Sequence, residues 1–226
     1  MRKRLVCIAQ ARVIGGNKKA PHICTISLDV DTGELVRTCL PFGNTSDMPV
    51  RRWSVFEVTL EKLAADTRTE SYFVVENADN VCGNKLTNSQ QKTVHEHLLS
   101  LAVPEEQLIE ENRSIGVKLI QNIKLHFLSL DTKHTGIRRV MNNKYGLWYS
   151  DKMLKVSGKD LLTQKPFNRL LLDWPFMEGL RKNMPYSDLR FTISRMKYPY
   201  LITGTHIRRR KSFMAISVLS SPKPYG

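Results

Sequence analysis

Short segments with strand-like alternation recur along almost the whole chain, each closed by Gly, Pro, Asn or Asp, and one segment alone carries strong helical spacing. Residues 5–14 are apolar and β-branched and run into Gly15-Gly16-Asn17-Lys18, a turn. Residues 22–28 alternate, Asp31-Thr32-Gly33-Glu34 follows, and 35–40 alternate again. An Asp/Gly turn supplies the positive φ that a tight hairpin requires. Residues 53–60 and 71–75 predict two more strands. Asn88-Ser89-Gln90-Gln91 opens a helix with Val94, Leu98, Leu99 and Leu101 at helical spacing, ended by Pro104. The acidic stretch 105–112 is a second short helix or a linker. Beyond it, alternation over 115–130 predicts strands interrupted near Gln121-Asn122, 133–143 a loop or hairpin tip, and 146–149 a strand. Residues 157–162 read as a turn, 166–172 as an apolar, Pro-punctuated stretch and 177–183 as a helical turn. Residues 189–195, 200–204 and 212–219 predict the closing strands.

This pattern predicts a mainly β fold of two small antiparallel β-barrels bridged by a helix. The expected N-terminal barrel spans 1–87, the helical bridge 88–112 and the C-terminal barrel 113–226. A chain of 226 residues has room for two such units. No uncharged apolar run approaches the ~18 residues of a membrane helix. The apolar stretch after Arg2-Lys3-Arg4 ends at Gln10, short of the ~7–15 residues of a signal peptide core. A cytoplasmic protein without a membrane partner is therefore expected.

Charge divides the chain sharply. Residues 1–113 hold 14 Lys/Arg and 15 Asp/Glu, a balance of −1, whereas residues 114–226 hold 21 and 6, a balance of +15. A field of that sign attracts polyanions, and nucleic acid is the commonest such partner. Within the basic half, cations and aromatics interleave in three groups: Arg138, Arg139, Lys144, Tyr145, Trp148, Tyr149 and Lys152; Arg190, Phe191, Arg195, Lys197, Tyr198 and Tyr200; and Arg208, Arg209, Arg210 and Lys211 with Phe213. Cations that track a backbone beside aromatic platforms are what single-strand binding uses. Trp148, Phe191 and Phe213 fit a barrel core equally well, whereas the run at 208–211 gathers four cations that repel one another without an anionic partner.

No motif with catalytic spacing appears. Cys7, Cys24, Cys39 and Cys82 contain no CxxC pair and read as small hydrophobes on strands. His95-Glu96-His97 places two imidazoles at i and i+2, which point apart on a helix, so a solvated helix face is expected there. Asp29-Val30-Asp31 lacks the remaining ligands of a calcium loop and reads as part of the hairpin turn. Glu57, Glu61 and Lys62 are a poor imitation of a metal-dependent nuclease site. No catalytic residue, metal or cofactor is expected.

Two stretches carry a family resemblance. Cys7-Ile8-Ala9 leading to a hairpin with Val36-Arg37 and on to Phe56-Glu57-Val58 resembles the start of the bacterial dual OB-containing domain family. Leu189-Arg190-Phe191-Thr192-Ile193 followed by Tyr200-Leu201-Ile202-Thr203-Gly204 is similar to that family's closing hairpin. The resemblance implies two OB-like barrels, found in mobile or defence-associated bacterial loci, with no catalytic residues to carry over. The leading expectation is a non-enzymatic protein whose second barrel grips single-stranded or structured DNA or RNA, as a subunit of a larger nucleoprotein complex. The near-neutral first barrel would dock on a protein partner or a second copy. A metal-dependent nuclease whose site the sequence hides, and an adaptor or inhibitor meeting an acidic protein surface, are the alternatives.

Overall fold

The computed structural model describes residues 1–14, 22–41, 50–62, 66–75, 81, 83–129, 152–182, 184–206 and 209–225. The first half comprises β1 (Arg2–Ile14), β2 (His22–Asp29), β3 (Leu35–Pro41), β4 (Ser54–Glu61), β5 (Ser71–Val74) and β6 (Gly83–Lys85). Helices α1 (Asn88–Ser100) and α2 (Glu105–Glu110) follow. The second half contains β7 (Ile115–Ser129), β8 (Lys152–Asp160), β9 (Pro166–Leu171), α3 (Trp174–Arg181), α4 (Tyr186–Ser194), β10 (Pro199–His206) and β11 (Arg209–Ser220). The expected turn at 15–18, the loop at 133–143, the strand at 146–149 and Cys82 lie outside the described residues.

Both halves trace the same circuit. In the first, β1 pairs with β2, β2 with β3, β3 with β5, β5 with β4, and β4 returns to β1. In the second, β7-β8-β9-β11-β10 closes on β7. Each barrel is antiparallel except for one parallel pairing, β3 with β5 and β9 with β11. That order, a five-stranded Greek-key barrel, is the OB-like architecture. The first barrel is filled by Leu5, Cys7, Leu40, Phe56, Val58 and Leu60. The second is filled by Leu125, Leu154, Val156, Phe167 and Leu201, with Phe176 and Leu180 of α3 and Leu189 and Ile193 of α4 packed on the same core.

Local chemistry explains the joints. Gly33 takes φ +73° in the β2–β3 hairpin, and Asp29 accepts the Asp31 amide at 3.0 Å, so the acidic pair there serves the turn. Helix α1 starts with a reciprocal capping box between Thr87 and Gln90. β7 is one long strand whose irregularity falls between Gln121 and Lys124, with Asn122 at φ +55°.

The two barrels are not beads on a helical string. Val6, Ile8, Ile26 and Leu28 on the outside of the first barrel pack against Ile115, Val117, Tyr200, Ile202 and Leu219 on the outside of the second, with Leu98 of α1 in the same cluster. This seam is why β2 is buried from Ile23 to Asp29 and β10 from Tyr200 to Thr205: one face lines a barrel and the other the seam. Polar contacts lock it. Arg52 donates to Asp173 at 2.8 Å and to Ser217 Oγ at 2.6 Å, while Asp173 also accepts from Ser217 Oγ at 2.5 Å and the Val218 amide at 3.0 Å. Arg37, only 3% exposed, donates to the Ser114 carbonyl at 3.0 Å. Arg68, clamped by Asp66, donates to the Thr205 carbonyl at 3.0 Å.

Three expectations are corrected. Residues 189–195 belong to helix α4 and its cap: Leu189 and Ile193 are buried one turn apart while Phe191 is 60% exposed, so the 3.6-residue period wins over the apparent alternation. The turn expected from 157 is strand as far as Asp160. His95 is not on a solvated face; it is buried beside Trp53, with ring centroids 4.6 Å apart. His97, half-buried, has its Nε2 2.7 Å from the Gly33 carbonyl.

Candidate nucleic-acid interface

The surface of the second barrel left open by the seam is the outer face of β7, β8 and β9. Leu125, Leu154, Val156, Phe167 and Leu171 point into the core, so their strand neighbours point outward. Register places them in rows: His126, Lys155 and Leu170; Lys124, Ser157 and Asn168; Gln121, Lys159 and Pro166. No Asp or Glu stands among these positions, and among the described residues Lys124, Lys155 and Lys159 have no acidic partner. His126 Nε2 lies 2.6 Å from Ser157 Oγ, so the rows are also joined by exposed polar groups. Lys155 and Lys159 are four residues apart on one strand, about 13 Å.

The acids that neighbour this face are spent elsewhere. Asp160, on the other side of β8, holds Lys118 at 2.6 Å, and Glu105 of α2 meets both Lys118 and Arg169. Burial would raise the Asp160 carboxyl, but the Lys118 ammonium and two turn amides outweigh it and hold the group below the usual carboxylate range. The pair Lys165 and Glu106 ties the β8–β9 turn to α2.

The residues singled out from the sequence distribute unevenly around this face. Arg138, Arg139, Lys144, Tyr145, Trp148, Tyr149 and Arg208 lie outside the described residues, as does the side chain of Lys152. The chain between β7 and β8 that carries most of them is therefore anchored at Ser129 and Lys152, at one end of the open face. Arg190 sits over the Tyr186 ring at 5.8 Å, and the Tyr186 hydroxyl donates to the Leu125 carbonyl at 2.6 Å, between Lys124 and His126. Arg195 sits over the exposed Phe191 ring at 5.2 Å. Lys197 is exposed, and Tyr198, at φ +50°, meets Tyr225 edge-on.

Tyr200 is the clear correction. It is 0% exposed within the seam, with its hydroxyl 2.7 Å from His95 Nδ1, and presents nothing to a ligand. Burial lowers His95 to about 4, so at neutral pH it is an uncharged ring that shares this hydrogen bond with the Tyr200 hydroxyl. Arg209 and Lys211 are exposed at the start of β11, but Arg210 donates to Thr67 and to the Asn112 carbonyl and so braces the barrels. Arg209 pairs with His206, at the opposite end of β10 from Pro199, which follows Tyr198 and is about 23 Å away along the strand. The described members of the second and third groups thus do not meet at one point. The Arg209–Lys211 end of β11 lies at the end of the barrel where β8 finishes and β9 begins, and the paired residues Ser129 and Lys152 lie at the other.

Lys124, His126, Lys155 and Lys159 were missed from sequence. Their signal was present as cations and polar residues at alternate positions against Leu125, Leu154 and Val156, and reading 157–162 as a turn hid it.

Among the described residues no group of three or more His, Cys, Asp or Glu side chains could hold a metal ion, and no helix is long and apolar enough to cross a membrane. No protein-family model matches the sequence, and no curated protein does. A solved structure described as "Structure and Conformational Change of a Replication Protein A Heterotrimer Bound to ssDNA" is similar over 90% of this chain, at 10% identity and a TM-score of 0.38. This chain spans 43% of the length of that one. The OB-like assignment rests on the strand circuits themselves.

Proposed function

We propose that this chain is a non-enzymatic binding protein for single-stranded nucleic acid, which runs across the outer face of β7, β8 and β9. The observation that carries the reading is the contrast between sister faces. On the first barrel the equivalent strands bear Val6, Ile8, Ile26 and Leu28 and are buried in the seam, whereas on the second, beyond Ile115 and Val117, they bear Lys124, Lys155 and Lys159, which have no acidic partner among the described residues. In OB-like barrels the face of the second and third strands, flanked by the first and last hairpin loops, takes oligonucleotides. Here the chain at those two places is the basic sequence 130–151, between β7 and β8, and residues 207–208, between β10 and β11. Lysine ammonium groups draw phosphates and release counterions, while Ser157, Asn168 and His126 offer hydrogen bonds that orient the strand.

The test is a salt titration of affinity for a labelled single-stranded oligonucleotide, read by fluorescence anisotropy. The variant Lys124→Ala/Lys155→Ala/Lys159→Ala is expected to flatten the slope of log K against log salt by about 2, from ~0.7 per phosphate contact. An unchanged slope and affinity in the triple variant would overturn the reading. Duplex of the same length is expected to bind more weakly than the single strand.

A further inference from the structure

Cys24 in β2 and Cys39 in β3 are direct register partners in an antiparallel pair. Opposite residues in such a pair have Cα atoms about 4.5–5.5 Å apart, inside the about 4.4–6.8 Å window of a disulfide. Both thiols are free. Cys24 is buried and Cys39 half-buried, so small solutes reach the pair from the Cys39 side. Their side chains share a face with Ile26, Arg37 and Leu35, the face that meets the second barrel. Arg37 Nη1 donates to Cys24 Sγ at 3.7 Å, and the same guanidinium reaches across the seam to the Ser114 carbonyl.

The surroundings favour a thiolate at Cys24. A hydrogen bond from the Cys39 thiol, together with the Arg37 and Arg68 cations, outweighs burial and holds Cys24 below its ordinary value. Cys39, as the donor to Cys24 and partly buried, is correspondingly pushed up. Cys7 is the contrast: it lies in the core of the first barrel, and burial pushes its thiol up to about 12.

We propose that Cys24 and Cys39 form a reversible oxidation site, a dithiol that a small hydroperoxide converts into a cross-strand disulfide at the boundary between the barrels. The Cys24 sulfur attacks one peroxide oxygen and the O–O bond breaks, giving a sulfenic acid and, with the thiol proton, one water. The Cys39 sulfur then attacks the Cys24 sulfur. The S–S bond forms, the S–O bond breaks, and the hydroxide leaves with the Cys39 proton as the second water. Two thiols have lost two electrons and two protons, and hydrogen peroxide has become two waters. An external dithiol reverses the step by exchange. Closure also removes the sulfur anion from Arg37, so the change is felt where that guanidinium ties the barrels together.

The experiment uses the full chain, reduced and then treated with hydrogen peroxide, unfolded and alkylated with N-ethylmaleimide. Intact mass is expected to show two fewer alkylated thiols than the reduced control, restored by dithiothreitol. A peptide map is expected to contain a linked pair carrying Cys24 and Cys39, with Cys7 alkylated throughout. Cys39→Ser is expected to abolish the intramolecular link and leave Cys24 over-oxidised or joined to a second chain. Retention of all four alkylation sites at peroxide levels that convert the exposed Met1 to its sulfoxide would overturn the proposal. A link from either residue to Cys82 in place of the Cys24–Cys39 pair would overturn it equally.

Discussion

Removing the Asp173 carboxylate should loosen the whole molecule. Asp173 is 0% exposed and the Arg52 side chain 19%. Asp173→Ala leaves that guanidinium without its counter-charge and takes the acceptor from Ser217 Oγ and the Val218 amide. Breaking a buried pair by deleting one member costs about 3–5 kcal/mol, a large share of the roughly 5–15 kcal/mol that holds a folded protein together. For a chain of this size each kcal/mol moves Tm by about 2–4 °C, so a fall of about 6–20 °C is expected. Tryptophan fluorescence during heating is the assay, since Trp53 and Trp174 directly follow the two partners in sequence. The double variant Arg52→Met/Asp173→Leu replaces both charges with apolar groups and should recover most of the loss, because a buried pair contributes little beyond a well-packed apolar equivalent. A fall below about 3 °C in Asp173→Ala, or a double variant as unstable as the sum of its single changes, would refute this account of the seam.

Other consequences can be measured in the same way. Above pH 6.5 His95 is neutral in both folded and unfolded chains; between 6.5 and about 4 the unfolded chain takes up the proton and the folded one does not. Stability therefore falls as pH falls through that window and the loss levels off below it, reaching about 3 kcal/mol at ~1.4 kcal/mol per pH unit; urea midpoints should show this component in the native chain and not in His95→Gln. Gly204→Ala would place a Cβ 2.8 Å from Arg37 Nη2, whose guanidinium is held by Ser114, so a loss of about 1–3 kcal/mol is expected in denaturant unfolding. Tyr200→Phe should cost about 1–2 kcal/mol by orphaning His95 Nδ1, with oligonucleotide affinity unchanged.

What could be read from sequence was what is decided locally. The β2–β3 hairpin rests on Asp29 and Gly33, and α1 on the contacts between Thr87 and Gln90, all within a few residues of one another. Where a distant partner decides, the local pattern misled. Gly158 looked like a turn residue, yet it sits inside β8 because a Cβ there would come 2.8 Å from the Gln121 carbonyl and 3.1 Å from the Phe167 ring. Leu189, Phe191 and Ile193 alternate like a strand, and only packing under the barrel shows that two of the three are buried. The docking of one barrel on the other left a trace, since residues 5–9 and 23–28 are too uniformly apolar or small for a sheet with one wet face. Arg37, quoted for a family likeness, proved to be a buried brace between the barrels, a role that only the position of Ser114 reveals.

The shared apolar wall also has a consequence for how the protein is made. Val6, Ile8, Ile26 and Leu28 leave the ribosome well before Tyr200, Ile202 and Leu219, which form part of their cover and lie far downstream in the chain. At about 5–20 residues per second, the first barrel waits on the order of 10 s or more with a greasy flank bare. During that interval the nascent chain is a natural client for a holding chaperone, and a stalled or clipped product would be sticky in a way the finished molecule is not.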